Sequence, residues 1–352
     1  MAKLFGQELT KAELMKRVGN LASLAGVTRI RQEGGRAGTL HSYEVINERM
    51  RFSVLADKCM DIGALYYDGM PLFFLAKPGQ MNGLWYNDGV NAPRSISGGM
   101  MFTCGLNNVG PMQMLEDGRT LPQHGTIRNA PASLDGARCF WEGDDYVMEL
   151  TGEMREGELF GENLVLRRTI TTRLGDPAVH IHDQIENEGS EPAPLMLMYH
   201  CNAGFPLLDQ DSQLVIDPIR TECRDEISEN GRRAEPCTLF GSPVDGYAEQ
   251  VFYHKLKPRN GRCSADMVNP KRRLSLRIDF DCRELPNLIH WKCRAPGAYV
   301  IGLEPSNCHP EGLLAERQRG TLRILAPGEI AETDLRIAVI ADDAFDATYF
   351  HK

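Results

Sequence analysis

Alternation of apolar and polar positions is the main pattern along this chain, and it predicts β-strands. Residues 273–280 alternate strictly, as expected for a strand with one buried face. Residues 164–174 are rich in β-branched and long apolar side chains, and two late strands are predicted at 322–325 and 335–340, separated by the Pro327-Gly328 turn. Roughly a dozen such runs occur among 34 glycines and 20 prolines, without regular helices between them. The pattern favours a mainly β fold, a large antiparallel β-sandwich, over an α/β fold.

One short helix is predicted near the N-terminus. Thr10 to Glu13 has the capping-box pattern, in which side chains satisfy the free backbone N–H groups of a first helical turn. Apolar residues then follow at helical spacing: Leu14, Val18 and Leu21. We predict a helical extension over residues 1–30, packed on a single β-sandwich domain over 31–352. Residues 80–122, rich in Gly, Asn and Met with little periodicity, predict a long loop layer that covers a site.

Composition excludes several classes of protein. The 352 residues are 42% apolar and 25% charged, which is typical of a soluble globular domain. The net charge of -9 is spread along the chain and disfavours nucleic acid or an anionic membrane as partner. No apolar run reaches the roughly 20 residues of a membrane helix, and the ten cysteines are scattered, so we predict a cytoplasmic protein with reduced thiols. A monomer or homodimer without a cofactor is expected.

Three ionisable residues stand beside predicted strands, where binding sites commonly form. Glu304 ends the apolar run 298–303, and His200 follows the apolar run 195–199. His124 precedes a glycine, which allows backbone and ligand to approach closely. Each residue also has a structural interpretation: a strand-end carboxylate can pair with a rim arginine, and a buried histidine can be a neutral core residue.

One carboxylate and two imidazoles suit proton transfer on a sugar. To interconvert the two anomers of an aldose, a base removes the proton of the C1 hydroxyl and an acid protonates the ring oxygen. The open chain then rotates and closes again. Positioned acids and bases of this kind contribute about 10² to 10⁴ in rate each.

The ordered set of short motifs carries a family resemblance. The motifs are His124-Gly125, Asn187-Glu188-Gly189, Tyr199-His200, Leu303-Glu304-Pro305 and Leu325 to Glu329. From about residue 40 to 340 the chain resembles the aldose 1-epimerase (galactose mutarotase) superfamily. Residues 57–63 and 98–110 resemble segments of a branch whose members mostly lack an assigned substrate.

The resemblance implies a galactose mutarotase-type β-sandwich that binds a small carbohydrate in a cleft on a concave sheet. It also implies Glu304 as general base at the anomeric hydroxyl and His200 as general acid at the ring oxygen. His124 would be the second histidine, which holds the ring-oxygen side or shares the proton transfer.

The chain departs from the family pattern at one place. Typical mutarotases carry an Asn-Arg pair upstream of the His-Gly motif, whereas residues 106–109 read Leu-Asn-Asn-Val. Recognition of the sugar hydroxyls then falls to other groups, and a structural ion pair is an equal alternative for each. The candidates are Asn107, Arg128, Asp61 and Glu249.

Three other functions remain open. His180, His182 and Glu186 lie at even positions of one predicted strand with the spacing of a cupin metal site, but Pro327-Gly328 is not followed by the histidine that would complete it. A solvent-facing strand explains these residues better, and no metal is predicted. A non-catalytic carbohydrate-binding protein could use the same fold.

A sugar-phosphate epimerase is the third alternative. It would need a cationic pocket, for which Lys77, Arg94 and Arg128 are the candidates, but the sequence has no phosphate-binding loop.

Overall fold

Antiparallel strands dominate the computed structural model, which describes residues 2–83 and 89–349. In the first part of the chain the strands are β1 (Ala2–Leu4), β2 (Gln7–Leu9), β3 (Ala25–Arg31), β4 (His41–Asn47), β5 (Met50–Leu55), β6 (Asp61–Tyr67), β7 (Met70–Pro71), β8 (Phe74–Leu75), β9 (Gly98–Gly99), β10 (Met101–Leu106), β11 (Gln113–Met114), β12 (Thr120–Leu121) and β13 (Ser133–Glu142). In the second part they are β14 (Asp145–Gly157), β15 (Asn163–Arg173), β16 (Ala178–Asn187), β17 (Ala193–Gly204), β18 (Gln213–Val215), β19 (Pro218–Cys223), β20 (Gln250–Leu256), β21 (Arg262–Asn269), β22 (Leu274–Asp281), β23 (Asn287–Ala295), β24 (Ala298–Ser306), β25 (Arg323–Leu325) and β26 (Ile330–Ala341).

Two large sheets pack face to face. The first has twelve strands in the order β19-β20-β23-β24-β17-β10-β6-β5-β4-β3, with β25 paired to β17 and β7 to β6. The second has eight strands in the order β13-β14-β15-β16-β26-β22-β21-β18. The predicted mainly β, antiparallel class is therefore confirmed. The two late strands join different sheets, because β25 pairs with β17 and β26 with β16 and β22.

The described residues contain four α-helices, whereas the sequence predicted one. They are α1 (Lys11–Met15), α2 (Glu226–Ala234), α3 (Leu313–Arg319) and α4 (Asp342–Tyr349). The capping box at Thr10 forms as predicted, but α1 ends after five residues and Leu21 lies in a separate 3-10 turn. The other three helices were missed because they are short and carry few apolar positions. No described helix has the length and apolar character needed to cross a membrane.

The N-terminal segment contains more strand than expected. Residues 25–31 form β3, which pairs with β4 at the edge of the large sheet. The boundary near residue 30 between an extension and the main domain stays a prediction.

The predicted loop layer over 80–122 is wrong at its centre. Residues 101–106 form β10, which pairs with β17 in the middle of the large sheet. All six residues are buried, so the strand lacks the alternation by which a half-exposed strand is recognised. Residues 84–88 of this segment lie outside the described residues.

Both faces of the large sheet are covered at its centre. The main core fills the space between the two sheets and includes Tyr199, Leu197 and Cys201 of β17. A second apolar cluster lies on the opposite face of the same strands and includes Phe102, Cys104, Met196, Met198, Val251, Tyr253, Ile289 and Leu313. Packing on both faces therefore holds four central strands in place beneath the residues of the outer face: β10, β17, β23 and β24.

Candidate active site

A cleft of about 1120 Å³ opens on the outer face of the large sheet. Its floor is a row of neighbours on adjacent strands. Phe102 of β10 faces His200 of β17, and Glu304 of β24 faces Ile289 of β23. Since Cys201 pairs with Leu303, the register also places His200 opposite Glu304. The pleat points these side chains to the same face, where all four line the cleft.

Glu304 and His200 form the centre of the floor. Glu304 Oε1 lies 3.1 Å from His200 Nε2, and the two residues are only 2% and 8% exposed. Among the described residues neither Glu304 Oε1 nor His200 Nδ1 has an aligned hydrogen-bond partner. Buried polar atoms are normally paired, so this pair is available for a ligand that enters the cleft.

Burial favours the uncharged form of each group. It raises the pKa of Glu304 well above its usual range, with Glu249 adding to the rise and Arg224 opposing it. Burial lowers the pKa of His200 to about 3, and the neighbouring His124 adds to the lowering. Because burial penalises net charge, the pair retains one proton over a wide pH range and has no net charge there.

Aromatic rings hold His200 on two sides. The ring of Phe102 stacks on it with centroids 4.4 Å apart, and the ring of Trp291 meets it edge-on at 5.6 Å. Trp291 is in turn fixed by a 2.9 Å hydrogen bond from its Nε1 to Glu249 Oε2. Arg224 donates two hydrogen bonds to the same Glu249 carboxylate. The imidazole therefore has a fixed orientation over the floor of the cleft.

His124 reaches the same cleft from the connection that follows β12. Its ring is perpendicular to that of His200, with centroids 5.9 Å apart. The backbone N–H of Gly110 donates to His124 Nδ1 at 3.3 Å, so a neutral His124 has its proton on Nε2. Burial lowers the pKa of His124 to about 4, and Arg128 contributes to that lowering. His124 is thus a neutral hydrogen-bond donor near neutral pH.

The backbone around His124 is tightly constrained. His124 has the left-handed φ of 59°, and the following Gly125 also has a positive φ. A Cβ at Gly125 would overlap the carbonyl group of Gly105, so glycine is required for this close approach. The structure therefore explains the His-Gly motif by packing as well as by ligand access.

Gly302 makes room for the Glu304 carboxylate. The two residues are separated by one position on β24 and lie on the same face. A Cβ at Gly302 would overlap Glu304 Oε1, because the carboxylate lies over the glycine. The sequence offered this feature as part of Gly302-Leu-Glu-Pro, but its role is visible only in the structure.

The predicted hydroxyl-binding residues are dispersed. Glu249 lines the cleft, bonded to Arg224 and Trp291. Arg128 is buried and lines a small pocket beside the cleft, together with Lys58 and Asp61. Asn107 is half-buried, and it is not among the residues that line the cleft.

Asp61 does not face the cleft. It accepts hydrogen bonds from Arg168 Nη1 at 2.9 Å and from Thr103 Oγ1 at 2.7 Å, in the core between the two sheets. Arg168 is fully buried and also binds Asp183 through two hydrogen bonds. Asp61 is therefore the partner of a buried arginine and is not among the residues that line the cleft, and its role as a sugar ligand stays a prediction.

The alternative metal and phosphate sites find little support. His180 and His182 are exposed and pair with Asp176 and Asp334 respectively, while Glu186 pairs with an arginine. These three residues do not form a ligand cluster. Of the proposed phosphate ligands, Lys77 lines the cleft, whereas Arg94 is exposed and does not line it.

Sequence reasoning missed three residues of the cleft and one contact within it. They are Phe102, Trp291 and Arg224, which line the cleft, and the contact of Gly302, a glycine that the sequence offered without its role, with the Glu304 carboxylate. The positions of Trp291 and Phe102 in the cleft depend on strand register rather than on a motif, since Trp291 pairs with Gly302 and Phe102 with His200. The only sequence cue was the even spacing between Gly302 and Glu304.

Comparison with protein families gives one match that spans most of the chain. A family described as a domain of unknown function, DUF4432, matches residues 38–339. No curated protein sequence matches the chain.

Several solved structures share the fold. A Klebsiella pneumoniae protein, provisionally named an aldose 1-epimerase, is 20% identical with a TM-score of 0.83, and the match covers 97% of this chain and 92% of that one. A galactose mutarotase-like protein from Clostridium acetobutylicum is 13% identical with a TM-score of 0.63, over 91% and 100% of the two chains. Galactose 1-epimerase from Lactobacillus acidophilus is 13% identical with a TM-score of 0.56, over 90% and 98%. The galactose mutarotase-like fold expected from the motifs is thereby confirmed.

Proposed function

The chain belongs to the DUF4432 family and has a galactose mutarotase-like fold, and from that premise we propose that it is an aldose 1-epimerase-like isomerase acting on a free sugar. One observation carries the proposal. A carboxyl group and an imidazole lie 3.1 Å apart at the floor of an open cleft, buried and without other aligned partners among the described residues. This is the pair of groups that ring opening requires.

The chemistry matches the spacing. The hydroxyl oxygen and the ring oxygen of an aldose are bonded to the same carbon, so the base and the acid must act side by side. Glu304 removes the proton of the C1 hydroxyl while the bond between C1 and the ring oxygen breaks, and His200 gives its proton to that oxygen. After rotation of the open chain, Glu304 returns its proton to the carbonyl oxygen and His200 takes back the proton of the ring-forming hydroxyl, as the ring closes on the other face of C1.

The net-neutral pair supplies the reactive state without a change in total charge. A carboxylic acid beside a neutral imidazole and a carboxylate beside an imidazolium hold the same single proton. Proton transfer from the carboxylic acid of Glu304 to His200 produces the base and the acid together. When the sugar is in its open-chain form, the pair is again a carboxylic acid and a neutral imidazole. The buried cleft therefore never has to stabilise an unpaired charge.

His124 serves the reaction as a hydrogen-bond donor. Its Nδ1 already accepts from Gly110, so Nε2–H is the group available to a sugar oxygen. His200 is the proton donor, because it lies beside Glu304. This division assigns separate roles to two histidines that the sequence could not distinguish.

The walls suit a pyranose. Sugar rings present apolar C–H faces, which bind to aromatic side chains, and hydroxyl groups, which bind to carboxylates and guanidinium groups. Trp291 and Phe102 supply the aromatic surface, and Glu249 with Arg224 supplies polar groups at the rim. A neutral or weakly acidic sugar fits this lining, and a cytoplasmic location stays a prediction.

The proposal is tested by saturation-transfer NMR or optical rotation of freshly dissolved α-anomers, with glucose, galactose and a panel of rarer sugars. We expect the wild-type protein to accelerate anomer exchange of at least one sugar, and Glu304→Gln to lower that rate by about 10² to 10⁴. Sugar binding without acceleration across the panel would instead identify a carbohydrate-binding protein. Inhibition by inorganic phosphate would point to a phosphorylated substrate.

A further inference from the structure

A cluster of one cysteine and two histidines lies inside the protein on the reverse side of the cleft wall. His254 of β20 is 1% exposed, His290 of β23 is 0% exposed, and Cys237 lies in the connection between α2 and β20 with 8% exposure. One atom from each residue, a sulfur and two nitrogens, lies within 4.8 Å of the others. It is the only such group of possible metal ligands among the described residues.

The two imidazoles are placed as paired ligands would be. His254 Nε2 and His290 Nδ1 are 3.3 Å apart and form a hydrogen bond when no ion is bound. Two nitrogens that bind one tetrahedral zinc ion at 2.0–2.1 Å are about 3.4 Å from each other. His290 Nε2 has no hydrogen-bond partner among the described residues, so hydrogen bonding alone does not explain a second imidazole in this core.

A residue outside the cluster orients the first ligand. His254 Nδ1 lies 2.9 Å from Thr221 Oγ1 of β19. When Nδ1–H donates to this hydroxyl, the lone pair of His254 remains on Nε2, which faces His290. Metal-binding histidines commonly have such an outer partner, which fixes the tautomer and the ring.

The sulfur can complete the set with a small adjustment. Since no separation among the three donor atoms exceeds 4.8 Å, a point exists within about 2.8 Å of all of them, against zinc–sulfur and zinc–nitrogen distances of about 2.3 and 2.0–2.1 Å. Burial raises the pKa of the Cys237 thiol, and the nearby Arg232 and Lys292 oppose that rise.

We propose that Cys237, His254 and His290 form a zinc site, with a water molecule as the fourth ligand. The donor set of one thiolate and two imidazoles suits Zn²⁺, whereas Mg²⁺ and Ca²⁺ require oxygen ligands. His290 does not line the cleft, so the site is separate from the cleft chemistry. His290 lies between Ile289 and Trp291 on β23, so the ion would brace the strand that carries one wall of the cleft.

The test uses the full-length chain without a polyhistidine tag, after removal of metal with a chelator. Titration with Zn²⁺ followed by elemental analysis should give one ion per chain, and Co²⁺ in its place should give a thiolate-to-cobalt charge-transfer band. Cys237→Ser should weaken Zn²⁺ binding by at least about 100-fold and abolish the band. Thr221→Val should weaken binding by about 10 to 100-fold, as loss of an outer partner does.

The matched control is Cys293→Ser. Cys293 lies on β23 with 7% exposure, close to that of Cys237, but outside the cluster. It should bind Zn²⁺ like the wild type. Absence of stoichiometric Zn²⁺ binding by the folded wild-type protein, or binding that survives Cys237→Ser, would overturn the site. Binding of Cu⁺ with exclusion of Zn²⁺ would overturn the choice of ion. None of these results depends on the sugar reaction.

Discussion

Buried polar groups on the two faces of β10 and β17 differ in how completely they are hydrogen-bonded. On the inner face Arg168 is fully buried and every nitrogen of its guanidinium group is used, by Asp61, Asp183, Thr103 and a backbone carbonyl. Tyr199 adds a 2.6 Å hydrogen bond to Asp183. This inner network joins the two sheets, with one guanidinium group shared between two carboxylates.

On the outer face the neighbouring residues are left incompletely paired. His200 follows Tyr199 along the chain and Phe102 precedes Thr103, so each strand contributes one residue to each face. His200 Nδ1 and Glu304 Oε1 have no aligned partner among the described residues. A satisfied network beneath thus holds the strands, while an unsatisfied pair above is kept for a ligand. The contrast separates the structural from the functional use of buried charge.

Breaking the inner network should have the largest effect. Arg168→Met leaves Asp61 and Asp183 buried without their cation, so we expect the free energy of unfolding to fall by about 3–5 kcal/mol. Urea unfolding at neutral pH measures this. The control is Arg167→Met on the same strand, whose partly exposed side chain pairs with surface glutamates and should cost about 1 kcal/mol or less. Equal losses in the two variants would show that the inner network does not stabilise the fold as argued.

Displacing the outer carboxylate should reduce the rate with little effect on the fold. In Gly302→Ala the new methyl group overlaps Glu304 Oε1, the oxygen that lies 3.1 Å from His200 Nε2, so the carboxylate must shift from its position. Misplacement of a catalytic group by about 1 Å costs about 10² in rate. We expect kcat for anomer exchange to fall by that factor while the melting temperature stays close to that of the wild type.

Gly136→Ala is the matched control for this substitution. Gly136 also lies within a strand, β13, but a Cβ there would touch only the Thr151 hydroxyl at 3.9 Å. Its exchange rate should equal that of the wild type. A Gly302→Ala variant with full activity would show that the position of the carboxylate over this glycine is not needed.

The contrast between the two faces also marks where sequence reasoning succeeded and failed. Glu304, His200 and His124 were found because each stands in a recognisable motif, and the structure brings all three to one cleft. Asp61 was predicted beside the sugar but contacts Arg168 in the core, and the first three residues of β6 are all buried, so its orientation could not be read from the sequence. Phe102 and Trp291 were missed because their position depends on which strands pair and in which register. β10 was taken for loop because all six of its residues are buried.

Glu304→Gln should stabilise the protein increasingly as the pH rises. Burial raises the pKa of Glu304 above its ordinary value of 4.5, so between the ordinary and the raised pKa the folded wild type retains a proton that the unfolded chain has released. Wild-type stability relative to the variant therefore falls with rising pH, by at most about 1.4 kcal/mol per pH unit. Melting temperatures of both proteins from pH 4 to 9 measure the difference. A difference in melting temperature that stays constant over this range would contradict the raised pKa of Glu304.

The smallest expected effect is that of pH on kcat/KM for anomer exchange. The pH values at which kcat/KM begins to fall test whether Glu304 and His200 titrate as one pair. The outer pair holds one proton between the pKa of His200, lowered to about 3, and the raised pKa of Glu304. Below that window both groups are protonated and no base remains, and above it both are deprotonated and no acid remains. We therefore expect a broad plateau in kcat/KM that begins well below the ordinary imidazole pKa of about 6.5 and ends at the raised pKa of Glu304. The alkaline fall should begin at the pH where the gap in melting temperature between wild type and Glu304→Gln stops growing, because both report the loss of the same proton. Two different pH values, or an acid limb near the ordinary imidazole pKa of about 6.5, would mean that Glu304 and His200 do not titrate as one pair.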